Sequence, residues 1–222
     1  MVAAHPDDEV LGCGGTIARL VQEKNDVYIA VLGEGVTARY PQRDQADPKR
    51  VQKLRESCRR AAQRMGAKDP LMYDLPDNRF DSVPILEVVK IIEGLIDRLQ
   101  PRVIYAQHGG DLNIDHSIVF RATLTATRPA AGTPVKELYA FEVGSSTEWS
   151  FQKFEPVFRP NVFVDISGTM TTKIQAMEIY EGEVQAFPHP RSSEALRASA
   201  ARWGTVSGTT AAEAFELVRL LR

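Results

Sequence analysis

The sequence predicts an α/β fold, a mostly parallel sheet with helices on both faces. Three observations carry this. Short β-branched runs, Val27 to Leu32 and Val103 to Ala106, have the character of buried strands. Long stretches with helical spacing of apolar residues alternate with them, the arrangement that parallel strands require. At 222 residues and 43% hydrophobic, the chain can bury one sizeable core. No repeat, low-complexity segment or linker divides it, so residues 1–222 are expected to form a single domain.

The elements follow in order. Met1 to Ala4 supplies a first short strand; a strand ordinarily needs more residues, so a few natural residues are expected upstream. Val10 to Lys24, apolar at Leu11, Ile17, Leu20 and Val21, predicts a helix, and Val27 to Leu32 the next strand. Pro48 to Met65 is a charged helix that closes at Gly66, a stop signal. Its positive charge between Lys49 and Arg64 reads as a solvated face. Val83 to Leu99 places Ile85, Val88, Val89, Ile92, Leu95, Ile96 and Leu99 at helical spacing before Pro101 ends it. The Val103 strand, a helix from about Ser117 to Thr127 and the apolar run Leu138 to Val143 complete the pattern.

Composition excludes several classes. A net charge of -2 lacks the basic excess of a nucleic-acid surface. No run of 18 apolar residues is present, so no membrane-spanning helix is expected. The opening shows no basic region followed by an apolar one, hence no secretory signal. Two cysteines, Cys13 and Cys58, are too few for a disulfide framework and suit a reducing, cytoplasmic setting.

Ligands of such sheets gather at the carboxyl ends of the strands. Two strand-to-helix loops should open there. AHPDDE follows the first strand, and QHGGDLNIDH, residues 107–116, follows the Val103 strand. Together they hold His5, His108 and His116 and the acids Asp7, Asp8, Glu9, Asp111 and Asp115. Adjacent carboxylates repel one another, so either a cation binds among them or they are solvated loop residues. A catalytic zinc takes three protein ligands and keeps one position open. His5 and Asp8, three apart, with His116 from the second loop would provide two histidines and one carboxylate. Asp7 would then stand free as a general base beside bound water.

AHPDDEVLGCGGT, taken with DLNIDH and the PHPRS segment near residue 190, resembles the PIG-L (LmbE-like) family of zinc-dependent N-acetyl-sugar deacetylases. The resemblance implies a Rossmann-like (LmbE-like) fold over nearly the whole chain. It makes His5, Asp8 and His116 the Zn2+ ligands, a set that also accepts other divalent transition metals, and Asp7 the general base. The implied reaction is hydrolysis of an N-acetyl group on an amino sugar or its conjugate. A non-sugar N-acyl metabolite and a metal-containing sugar-binding module without turnover are the alternatives.

One departure matters. Family members often carry a histidine three residues before the last ligand, where this chain has Asn113. The proton for the leaving amine then has three candidate sources: Asp7 itself, His108 in the same loop, or His189 in PHPRS. His189 resembles a histidine that in some relatives reaches the site from a neighbouring subunit, which would make a homo-oligomer matter. It is preferred to His108 for the oxyanion. Asp115 is a candidate to orient an imidazole, and Asp111 either binds sugar hydroxyls or caps the following helix. Arg39, after the second strand, offers a planar donor fork to a sugar hydroxyl or a phosphate. Glu9 is expected to bond backbone amides at the helix start. The GCGGT glycines are expected to bring the backbone close beneath the metal, because no phosphate-loop spacing accompanies them. Cys13 is expected to be a small packing residue. Trp149, in SSTEW, is either core or a platform for a sugar ring.

Overall fold

The computed structural model describes residues 1–222. The chain runs β1 (Val2–Ala3), α1 (Asp8–Gln22), β2 (Ala30–Gly33), α2 (Pro48–Met65), β3 (Leu71–Leu75), α3 (Ile85–Leu99), β4 (Val103–Gln107), α4 (Ile114–Ala126), β5 (Glu137–Phe141), β6 (Val162–Asp165), α5 (Met170–Glu178), α6 (Ser193–Ser207) and β7 (Ala212–Leu220). β1 pairs with β2 and β2 with β3, both parallel. β4 pairs with β5 in parallel, Val103 opposite Glu137 through Gln107 opposite Phe141. β7 then runs antiparallel between β5 and β6. The two ladders meet where the Ala4 amide donates to the Gln107 side-chain carbonyl at 3.2 Å.

Alternation along the strands divides the core in two. Ala3 and Val31 face a cluster built with Val10, Leu11 and Ile17 of α1, Ala61 and Ala62 of α2 and Ile174 of α5. Their neighbours Val2, Ala4 and Leu32 face Val88, Val89 and Ile92 of α3 and Val119 and Ala122 of α4. Helices therefore cover both faces, as the sequence predicts.

Local chemistry sets the boundaries. Pro48 opens α2 behind Asp47, whose side chain accepts the Lys49 amide, and Gly66 ends it at φ 78, where a side chain would be strained. α4 starts earlier than expected because Asn113 caps it, its side-chain oxygen accepting the Asp115 amide. The glycines of GCGGT do something other than approach the metal. A Cβ on Gly12 would lie 2.1 Å from Phe141 Cδ2, and one on Gly15 2.7 Å from Ile166 Cγ2. They let α1 settle onto the core side chains of β5 and of the residue following β6. Cys13 packs in that core, 1% exposed.

Candidate active site

The two loops expected at the ligand edge come together there. His5 leaves β1, and Asp8 opens α1. Asp7 between them holds the left-handed conformation, φ 107, while its carbonyl accepts the first helical amides, from Val10 at 3.0 Å and Leu11 at 2.9 Å. That region costs a non-glycine residue on the order of 1–3 kcal/mol. The Asp7 amide donates to Glu9 Oε2 at 2.9 Å. Glu9 so keeps the amide-binding role expected of it, and burial pushes its carboxyl up to about 7 despite its hydrogen bond from Tyr180. Asp8 Oδ2 accepts the His5 amide at 2.8 Å and Gln107 Nε2 at 2.7 Å. His116 lies in the first turn of α4.

Each imidazole turns one nitrogen to Asp8 and the other to a second carboxylate. His5 Nδ1 stands 3.5 Å and His116 Nε2 3.4 Å from Asp8 Oδ2. Across the rings, His5 Nε2 lies 2.9 Å from Asp115 Oδ2 and 3.3 Å from Asp77 Oδ1. His116 Nδ1 lies 3.2 Å from Asp111 Oδ2, though off the line of a good hydrogen bond. The ligand atoms of His5, Asp8 and His116 all fall within 4.8 Å of one another. Two imidazole nitrogens and one carboxylate oxygen, the rings backed by carboxylates, suit a divalent transition metal with an open position. His5, Asp77 and Asp115 also converge. Asp115, however, is already bound by the amides of Asn78 at 2.6 Å and Phe80 at 2.9 Å, so this trio clamps the His5 ring.

The electrostatics point the same way. Burial alone would depress both imidazoles. Asp115 and Asp8 nevertheless raise His5 well above its ordinary range, and Asp8 with Asp111 lifts His116 to about 9. Burial opposes the Asp8 anion, yet His116 and His5 hold it well below the usual carboxylate range. A cluster that attracts positive charge so strongly is what a cation requires.

A cavity of about 230 Å³ with largely polar walls opens on the trio. Asp7 lines it, and Asp7 Oδ2 accepts from the Arg191 guanidinium at 2.8 Å. Arg191 also donates to Ser145 Oγ at 2.8 Å and to Glu183 at 3.1 Å, and Glu183 accepts from Arg39 at 2.6 Å. Burial, Asp8, Glu183 and Glu9 together raise the Asp7 carboxyl well above the ordinary range, although Arg191 opposes them. A larger cavity of about 510 Å³ lies at the opposite, amino edge of the sheet among apolar side chains such as Leu20, Leu99 and Val103. It is remote from this chemistry.

A family model for PIG-L, described as GlcNAc-PI de-N-acetylase, matches residues 1–127, more than half of the chain. The chain belongs to the PIG-L family. It is 27% identical to a 1D-myo-inositol 2-acetamido-2-deoxy-alpha-D-glucopyranoside deacetylase of Mycobacterium sp. (strain JLS), over 86% of this chain and 75% of that one. It is 26% identical to the diacetylchitobiose deacetylase of Thermococcus kodakarensis, over 98% of this chain and 81% of that one. Among solved structures, the 4-carboxy-2-hydroxymuconate hydratase GalB of Pseudomonas putida KT2440 superposes with a TM-score of 0.76 at 21% identity. That match covers 100% of this chain and 96% of the other. It is a likeness of fold alone.

Within this PIG-L chain the remaining candidates scatter. Arg39 and Asn113 line the cavity. Asp111 accepts from the Ser146 and Thr147 hydroxyls and backs His116, and Asp115 orients His5 rather than its neighbour His116. His108 is buried away from the cavity, its Nδ1 accepting the Gly110 amide and its Nε2 3.4 Å from Glu216 of β7. His189 lines no part of the cavity either. Its Nδ1 accepts the Arg191 amide at 3.1 Å, and its ring meets the edge of the 40%-exposed Trp149 at 5.5 Å. In PHPRS the arginine, not the histidine expected from the sequence, reaches Asp7. Asp77 is absent from the candidates too, although the strand-end rule points to it, since Pro76, Asp77 and Asn78 directly follow β3. Glu183 carries no local signal. No helix is long and apolar enough to cross a membrane.

Proposed function

We propose that this chain is a single-domain zinc-dependent hydrolase that removes an N-acetyl group from an amino sugar or an amino-sugar conjugate. The observation that carries the reading is the convergence of His5, Asp8 and His116, with the cavity-lining Asp7 beside them and outside the trio. The names of the sugar-deacetylase relatives give it its substrate class. Zinc held by the three residues would supply Lewis acidity toward the amide carbonyl and lower the pKa of water to about 7.

The chain's own groups do the rest. Asp7 takes the proton of the attacking water and returns it to the nitrogen of the departing amine, so one carboxylate acts as base and then as acid. Arg191 steadies it between the two tasks. Asn113 spends its side-chain oxygen on the Asp115 amide at 2.9 Å, which leaves its NH2 to donate to the developing oxyanion. Polar side chains, Arg39 and Asp77 among them, meet sugar hydroxyls. His108 and His189 support the shell, the first under the second loop and the second beneath Arg191.

The test is amine release from N-acetylated amino sugars, free, disaccharide, and nucleotide- or lipid-linked, with added zinc. The Asp7→Asn variant should bind zinc and lose turnover. Stoichiometric zinc binding without turnover on any sugar would refute the substrate assignment and favour a non-sugar acyl group or a binding module.

A further inference from the structure

Glu9 holds the Asp7 amide and Arg191 holds its carboxylate, and one C-terminal segment, residues 180–191, ties the two together. Tyr180, just past α5 and 1% exposed, donates its hydroxyl to Glu9 Oε1. Glu9, fully buried, gives its other oxygen to the Asp7 amide at 2.9 Å. The carbonyl of the same tyrosine accepts the amides of Glu183 at 2.7 Å and Val184 at 3.1 Å, closing the turn that presents Glu183. Glu183 binds Arg191, and Arg191 binds Asp7 Oδ2 at 2.8 Å. The hydrogen bonds form a closed circuit: Tyr180, Glu9, Asp7, Arg191, Glu183 and back to Tyr180.

The circuit has a physical reason. The amides at a helix start have no helical partner, and Asp7 is held at φ 107, which its side chain disfavours. Without Glu9 the backbone would gain by relaxing, and the carboxylate would swing with it. Glu9 cannot act alone, because a buried carboxylate needs its second oxygen satisfied. Tyr180 supplies that partner, yet it does not line the cavity.

We propose that Tyr180 is a positioning residue: through Glu9 it locks the strained backbone of Asp7, and through the turn carrying Glu183 it sets Arg191 against the Asp7 carboxylate. This rests on the reading of Asp7 as the base. The experiment compares zinc-loaded wild type with Tyr180→Phe, which deletes only the hydroxyl arm, and with the near-isosteric Glu9→Gln. The expected result is a fall in kcat of about tenfold or more, since a misplacement near 1 Å can cost about a hundredfold. KM and zinc affinity, measured by chelator competition, should stay within about twofold of wild type, because neither side chain lines the cavity or belongs to the metal trio. Exchange of the Asp7 amide with solvent should accelerate in both variants.

If kcat per folded molecule stays within twofold in both variants while Asp7→Asn is inactive, the positioning role is refuted and the base survives. Zinc affinity falling in step with kcat would also refute it, because the role would then be support of the metal loop. Turnover by Asp7→Asn would remove the base reading, and this proposal with it. Should Tyr180→Phe fail to fold, Glu9→Gln decides by the same readouts.

Discussion

Lys173→Met should destabilise the protein more than most single substitutions. Lys173 on α5 and Glu213 on β7 are each 4% exposed and form an ion pair at 2.5 Å. Glu213 also accepts the amides of Gly15 at 2.9 Å and Thr16 at 2.7 Å, while Lys173 donates to the Leu11 carbonyl at 2.8 Å. The pair therefore ties α1 to α5 and β7 in the core. Methionine preserves much of the stem's packing against Gly14 but leaves a buried carboxylate with only its two amide donors. Breaking a buried pair from one side costs about 3–5 kcal/mol, and the surviving amide bonds place the expectation near 3. At roughly 2–4 °C per kcal/mol for a chain of this size, Tm should drop by about 6–12 °C. Equilibrium urea unfolding followed by circular dichroism gives the free energy, and calorimetry gives Tm. Lys173→Met with Glu213→Gln should recover part of the loss, because the buried charge is gone. A loss under about 1 kcal/mol, or a double variant whose loss is the plain sum of the singles, would refute the argument.

Gly12→Ala should lower the urea midpoint. Helix propensity gains up to about 1 kcal/mol, but a Cβ 2.1 Å from Phe141 must displace a core ring, and overpacking costs about 1–3 kcal/mol; an unchanged midpoint would mean that α1 can lift freely. Zinc at a hundred times its Kd should stabilise the fold by about 2.7 kcal/mol, raising Tm by roughly 5–10 °C. His116→Ala should abolish that rise, and a variant that keeps it would exclude His116 as a ligand. Burial raises the Glu142 carboxyl above its ordinary range even though Trp203 Nε1 donates to it at 2.6 Å. A raised folded pKa means that this stabilisation is complete below the unfolded value of about 4.3 and is lost as pH rises through the folded one. Glu142→Gln should therefore flatten the fall in stability above that pH and leave the protein more stable at pH 7, and parallel pH profiles for the two proteins would contradict this.

Much of the architecture was legible because it rests on local rules. The helix Pro48–Met65 was readable to the residue, since proline, a capping aspartate and a terminal glycine act within a few positions of themselves. β7 was not, because Ala212–Leu220 takes its direction from the neighbours β5 and β6 rather than from its own pattern. The same divide runs through the site. HPDDE and DLNIDH lie on strand-to-helix loops, so strand alternation and the carboxyl-edge rule suffice to bring His5, Asp8 and His116 to one place. Which carboxylate backs which imidazole was beyond the sequence: Asp115 serves His5 across 110 residues.

The amino-acid order by itself thus determined the alternation of β1, β2 and β4 with the helices α1 to α4, the edge where ligands gather, and the nitrogen and oxygen donors offered there. These follow from periodicity and from chemistry carried within short motifs. The tertiary structure alone decided what holds Asp7. Its partner is Arg191, 184 residues away, and the histidine two positions earlier turns instead toward Trp149. A long side chain near a site can face it or face away with almost the same local sequence. Only the packing of α5, α6 and the turn between them selects the guanidinium and buries Tyr180 against Glu9.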